Sequence, residues 1–188
     1  MVLGPLWNSR NKALNDTAFA CLQLEPRDRI LEIGFGGGYL INRMIKSVPN
    51  GKVVGIDISR DIVHAAEKRF RRHIQNGKID LECAQAETLP FPAKFFTKVC
   101  SINSIFYWQS AADAFSEISR VLERDGLLVL CFTGYKDMEN RPAVREVVNL
   151  YDKEQVMELL HKAGFQELND QTGTDRHREF YCISGRKK

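Results

Sequence analysis

The sequence predicts an α/β protein, built on a mostly parallel sheet with helices on both faces. Three observations carry this. Short apolar runs alternate with amphipathic stretches along nearly the whole chain, as strands joined by right-handed helical crossovers do. The chain has 188 residues, enough for one domain spanning 1–188 with a full core. Four glycines, Gly34, Gly36, Gly37 and Gly38, directly follow the first apolar run. On such sheets ligands bind at the carboxyl ends of strands, beside the point where strand order reverses.

The elements follow in order. Arg29 to Ile33 reads as a short buried strand. A helix from about Gly37 to Ser47 has Leu40, Ile41, Met44 and Ile45 on one face, and Pro49-Asn50-Gly51 stops it. Lys52 to Asp57 is a second strand. Ser59 caps a helix with Ile62, Ala66, Phe70 and Ile74 at four-residue spacing. Lys78 to Cys83 is a third strand, followed by the loop from Ala84 to Ala93. Lys98 to Ile102 is a fourth strand, and Ala111 to Leu122 a helix. Gly126 to Phe132 is a fifth strand. Another helix starts at Asp152 or Lys153 and stops at Gly164. Phe165 to Asn169 and Glu179 to Ser184 complete the pattern.

Composition excludes several classes. Hydrophobic residues make 44% and charged residues 27% of the chain, which is ordinary for a globular protein. A formal charge of +3 is too mild to argue for nucleic acid. The basic run Lys68, Arg69, Arg71, Arg72 and His73 reads as a solvated helix face. No apolar run is long enough for a membrane span. Asn8, Arg10, Asn11 and Lys12 interrupt any apolar leader, so the expected location is cytoplasmic. The cysteines Cys21, Cys83, Cys100, Cys131 and Cys182 form no CxxC pair and read as small core residues in a reducing compartment. No metal-ligand spacing is visible. Among the histidines, His64, His73 and His161 read as structural, and only His177, just before the last strand, invites a functional reading.

The glycine loop carries the chemistry. Glycines between a strand and a helix let backbone N–H groups face a ligand. The dinucleotide fingerprint G-x-G-x-x-G fails here because Tyr39 takes its third glycine position. No Gly-Lys-Ser/Thr follows, so a P-loop fails too. The remaining pattern is Glu32, Gly34, Gly36 and Gly38. A carboxylate beside the loop repels a pyrophosphate and suits a ligand with an ammonium group. Asp57, ending the second strand, can accept both hydroxyls of a ribose. A nucleoside with a zwitterionic tail fits, and S-adenosylmethionine (SAM) is such a molecule.

With these residues in place, "ILEIGFGGG", "VVGIDIS", "AQAETLPFP" and "EISRVLERDGLLVL" resemble, in order and spacing, the class I SAM-dependent methyltransferases. The subgroup similar to the ubiquinone/menaquinone C-methyltransferases is the best match. The resemblance implies a Rossmann-like fold of seven strands with the last one inserted antiparallel. It implies that Gly34, Phe35, Gly36 and Gly38 pass under the methionine part of SAM. Asp57 would bind ribose, Ile58 would pack on adenine, and Gln85, Ala86 and Glu87 would meet the adenine edge. Asn103 would lie near the sulfonium. Three positions depart from the family's usual pattern. Gln85 stands where Asp is usual, Thr97 where Asp is frequent, and Arg124-Asp125-Gly126 where Pro-Gly-Gly is usual.

The expected function is methyl transfer from SAM to a small molecule. A non-catalytic SAM-binding or partner-regulating domain of the same fold is the alternative, ahead of an NAD(P)-dependent oxidoreductase. Because the cofactor supplies an activated methyl, the protein mostly supplies alignment, and no catalytic base is evident. Tyr107 and Trp108 read either as substrate wall or as core aromatics. Residues 1–25 and 134–151 are expected to form lids.

Overall fold

A computed structural model of the chain describes residues 11–134, 149–175 and 178–188. Its described residues build a seven-stranded sheet in the order β3-β2-β1-β4-β5-β7-β6. The elements are α1 (Lys12–Cys21), β1 (Arg29–Ile33), α2 (Tyr39–Ser47), β2 (Lys52–Asp57), α3 (Arg60–Gln75) and β3 (Ile79–Cys83). They continue with β4 (Phe96–Ile102), α4 (Ala111–Val121), β5 (Leu122–Thr133), α5 (Lys153–Lys162), β6 (Phe165–Thr174) and β7 (Glu179–Lys187). β1 runs parallel to both β2 and β4, so strand order reverses there. β7 inserts antiparallel between β5 and β6.

Strand periodicity splits the core into two layers. Leu31, Ile33, Val99, Leu128 and Leu130 face α4 and α5. Ile30, Cys100, Ile102, Val129 and Cys131 face α1, α2 and α3. Leu14, Ala18 and Leu22 are fully buried in the second layer. This part of the expected N-terminal lid is therefore a core element, because its apolar stripe has a sheet face to cover. The rest of that segment before Asn11 and most of the expected second lid lie outside the described residues, as does His177.

Local chemistry sets the helix starts. Ser59 accepts the Ile62 N–H at 3.4 Å, and Ser110 accepts the Asp113 N–H at 3.2 Å. Asp152 and Gln155 form a reciprocal capping box. α2 begins at Tyr39, later than its sequence suggests, because Gly36 and Gly38 have φ of +50° and +67°. Thr97 donates to Asp28 at 2.8 Å and accepts the Arg29 N–H at 3.1 Å, so it joins β4 to the start of β1. β5 starts directly after α4, with Asp125 at φ +61° where the family favours glycine. Strand β6 is longer than expected. Its register with β7 shifts between Gln166 and Asn169, where Glu167 has φ +51°. Most of its residues after Phe165 are exposed.

The cysteines need one correction. Cys100, Cys131 and Cys182 are buried, but Cys83 is exposed and Cys21 half-buried. Cys83 is the last residue of β3, an outer strand of the sheet.

Candidate active site

The carboxyl ends of β1, β2 and β4 open into a cleft of about 480 Å3, a size usual for small-ligand sites. Its floor is the glycine loop. Gly34 N–H donates to the Ile56 carbonyl at 2.8 Å, extending the β1–β2 ladder. Asp57 then takes over with its side chain. Oδ2 accepts the Gly36 N–H at 3.0 Å, and Oδ1 accepts the Ser59 N–H at 3.0 Å. One carboxylate thus fixes both the loop after β1 and the entry to α3. Each oxygen keeps a further lone pair for a ligand hydroxyl.

Gly36 faces empty space. A Cβ there would meet no atom within 4 Å, so the loop leaves room above its backbone. Gly38 differs. It is not part of the cleft wall, and a Cβ on it would come within 2.7 Å of the Phe70 ring. Its small size serves the contact between the loop and α3. Gly37 lines the cleft instead, and its carbonyl accepts Arg69 Nη1 at 2.6 Å. Arg69 is therefore tied to the loop, unlike the rest of the exposed basic run. Phe35 lines the cleft but is almost wholly buried among the core residues beneath.

Glu32 lies under this floor, 3% exposed, with Oε2 lacking any hydrogen-bond partner. Burial pushes its carboxyl up to about 8, and the nearby Asp57 charge adds to this while the Ile41 amide opposes it. That amide belongs to the first turn of α2, whose N-cap Gly38 has no side chain to offer. An orphaned carboxyl oxygen beside an open glycine backbone fits the ammonium end of a zwitterionic ligand.

The other walls come from three loops. Ile58 is 60% exposed and lines the cleft. Gln85 is exposed at the same opening, and Ala86 is buried beside it. Glu87 also lines the cleft, but its Oε1 accepts the Gln109 and Ser110 N–H groups at 2.6 and 3.2 Å. It therefore braces the start of α4. Tyr107 is 53% exposed at the cleft, whereas Trp108 is buried edge-on against Phe115. Trp108 is thus both cleft wall and core aromatic.

Asn103, at φ +55°, belongs to a closed polar ring. Its Oδ1 accepts from the Thr133 N–H and hydroxyl at 2.8 and 3.1 Å, and its Nδ2 donates to Asn11 at 3.0 Å. Arg178 closes the ring, donating to Thr133 at 3.0 Å and to Asn11 at 2.6 Å, and pairs with Asp175 at 3.0 Å. Asn11, Thr133 and Arg178 all line the cleft. Sequence reasoning missed all three. Nothing local marks them, since the ring joins positions from both ends and the middle of the chain.

The methyltransferase domain family matches residues 31–130, from β1 to near the end of β5. The chain belongs to that family. Seven strands with one inserted antiparallel make it a class I SAM-dependent methyltransferase in fold as well. It is 25% identical over 187 residues to the uncharacterized methyltransferase YdaC of Bacillus subtilis, covering 100% of this chain and 98% of YdaC. Two solved structures share the fold. The crystal structure of the [4+2]-cyclase SpnF has a TM-score of 0.82 at 20% identity, over 96% of this chain and 82% of that one. Phosphoethanolamine N-methyltransferase 2 of Haemonchus contortus, in complex with S-adenosyl-L-methionine, has a TM-score of 0.81 at 16% identity. That match covers 93% of this methyltransferase and 52% of its neighbour. No described helix is long and apolar enough to cross a membrane.

Proposed function

We propose that this methyltransferase binds SAM in the cleft above the glycine loop and methylates a small molecule. The observation that carries the reading is the unpartnered Glu32 oxygen beside the open backbone of Gly36. Bound there, SAM supplies a methyl group already activated by a sulfonium. Glu32 would hold the ammonium end, and the open space above the Gly36 backbone would take the rest of the methionine part. Asp57 would accept from ribose hydroxyls without giving up its bonds to Gly36 and Ser59. Ile58 offers an apolar shelf for a base. Gln85 offers an amide oxygen as acceptor for an amino group, and Gly34, Phe35, Gly37 and Ala86 contribute backbone to the same walls.

The acceptor side is proposed to lie between the Asn103 ring and Tyr107–Trp108. The ring fixes the orientation of polar groups there, and the two aromatics exclude water. These groups orient a nucleophile rather than take its proton, so the reading favours acceptors that need little activation. The testing experiment has two arms. Calorimetry should detect binding of SAM and of S-adenosylhomocysteine but not of NAD. Methyl-labelled SAM mixed with a metabolite extract should then yield a labelled small product only when the protein is present. Binding of NAD without SAM would refute the reading.

A further inference from the structure

Three cysteines that are far apart in sequence converge on the sheet face opposite α4 and α5. Cys21 ends α1, Cys131 lies on β5 and Cys182 on β7. The antiparallel register sets Cys131 directly opposite Cys182. From the helix layer above, Cys21 Sγ comes within 3.8 Å of Cys182 Sγ. A polar groove between α1 and the β6–β7 pair is lined by Asp16, Thr17, Cys21, Asn169 and Gln171. The groove thus opens the cluster to small hydrophilic molecules at Cys21, with Cys131 and Cys182 buried beneath. Cys83 lies elsewhere, bonded to the Ile58 carbonyl.

We propose that Cys21 and Cys182 are a disulfide-forming site, oxidised by hydrogen peroxide that enters along this groove. Cys21 lines the groove and is half-buried, so it meets the peroxide first, whereas Cys182 lies buried behind it. The Cys21 sulfur attacks one peroxide oxygen. The O–O bond breaks, leaving a sulfenic acid on Cys21 and a hydroxide that takes up the Cys21 proton as water. Cys182, whose thiol is pulled down by S–H donation from Cys131 and Cys21, then attacks the oxidised sulfur. The S–O bond breaks, and the departing hydroxide takes the Cys182 proton as a second water. Two thiols are oxidised and one peroxide is reduced to two waters, with no further reagent. A dithiol reverses the reaction by exchange.

Cys21 is favoured over Cys131 as the partner for a mechanical reason. Ladder bonds on both sides hold Cys131 and Cys182 at sheet spacing. Cys21 ends a helix and can move the remaining ~2 Å to bonding distance with its last turn. The product ties α1 to β7 across most of the chain length. The other end of α1 carries Asn11 and Asn15 into the cleft, so the bond fixes one cleft wall.

The test uses the full chain, fully reduced, then treated with a small excess of hydrogen peroxide and alkylated. Two of the five thiols should disappear, and non-reducing peptide mapping should join Cys21 to Cys182. Dithiothreitol should restore all five. The oxidised protein should melt at least several degrees higher, since the closed loop is long. Cys83→Ser should behave like wild type, and Cys21→Ser should form no intramolecular disulfide. A Cys131–Cys182 link, a Cys83-linked dimer as the sole product, or unchanged Cys21 would overturn the proposal. The wild-type map decides even if a variant folds poorly.

Discussion

The Asp57 carboxylate holds the Gly36 N–H at 3.0 Å, so the end of β2 fixes the loop that follows β1. Binding and folding therefore share one side chain. Asp57→Ala should strip acceptors from two backbone N–H groups, those of Gly36 and Ser59. The stability loss should be ~1–3 kcal/mol, visible as a lower melting temperature. SAM affinity should fall at least ~10-fold. Asp57→Asn keeps one acceptor oxygen and should fall between. Wild-type SAM affinity in a folded Asp57→Ala protein would remove Asp57 from the site.

Two glycines in the same loop should fail in different ways. A Cβ at Gly36 meets nothing within 4 Å, so Gly36→Ala should leave the fold nearly intact at the cost of some strain from φ +50°. The added methyl would occupy the space reserved for the ligand, and SAM binding should drop sharply. A Cβ at Gly34 would lie 2.4 Å from Ser104 Cβ. Gly34→Ala should therefore lower the melting temperature before any ligand is added. Equal behaviour of the two variants would contradict the separation of roles.

Glu32 makes the unliganded protein pH-sensitive. Its carboxyl titrates at about 8 in the fold against an ordinary 4.5. Between those values the folded state keeps a proton that the unfolded chain has released. Its contribution to stability is full below about 4.5 and is lost as pH rises through about 8. Thermal melts should show this decline, on the order of a few kcal/mol in all, and Glu32→Gln should flatten it. The groups facing Glu32 are Asp57, the Ile41 amide and the Cys100 thiol. If the ammonium of SAM needs the ionised form, binding at pH 7 should release a proton. Calorimetry in two buffers of different ionisation enthalpy would detect it. Identical binding heats would separate Glu32 from the ligand.

Arg178→Met should spare cofactor affinity and damage turnover. The variant removes two donors from the ring that orients Asn103. We expect SAM dissociation constants within ~3-fold of wild type and turnover lowered ~10–100-fold by misalignment. A matching loss of both, or of neither, would show that the ring does not align the acceptor.

Much of the sheet was legible because its strands are short, apolar and closed by strong punctuation. The bounds of β1 and β2 agree with Arg29 to Ile33 and Lys52 to Asp57. Strand β6 was read too short because its outer half, from Asp170 to Thr174, has no apolar alternation and is held by pairing with β7. The start of β5 was read too late because Glu123, Arg124 and Asp125 are polar and resemble a turn. Glu32 and Asp57 were legible from their places at strand ends, and both line the cleft. The packing of Gly38 on Phe70 was not legible, because spacing alone does not tell which atoms a glycine's missing side chain makes room for. The Asn11–Asn103–Thr133–Arg178 ring and the cysteine cluster were invisible for one reason. Each is assembled by the strand order, and no local pattern encodes that.

The polar, bulged strand β6 is also an outer border of the sheet. An outer strand offers a row of unpaired backbone groups on which a second molecule can extend the sheet. Here the newcomer would find a broken register at Glu167 and the Asp170–Lys153 ion pair in place of a flat apolar ribbon. A second copy is thereby discouraged from adding to this edge, while the ligand cleft opens at the carboxyl ends of the central strands.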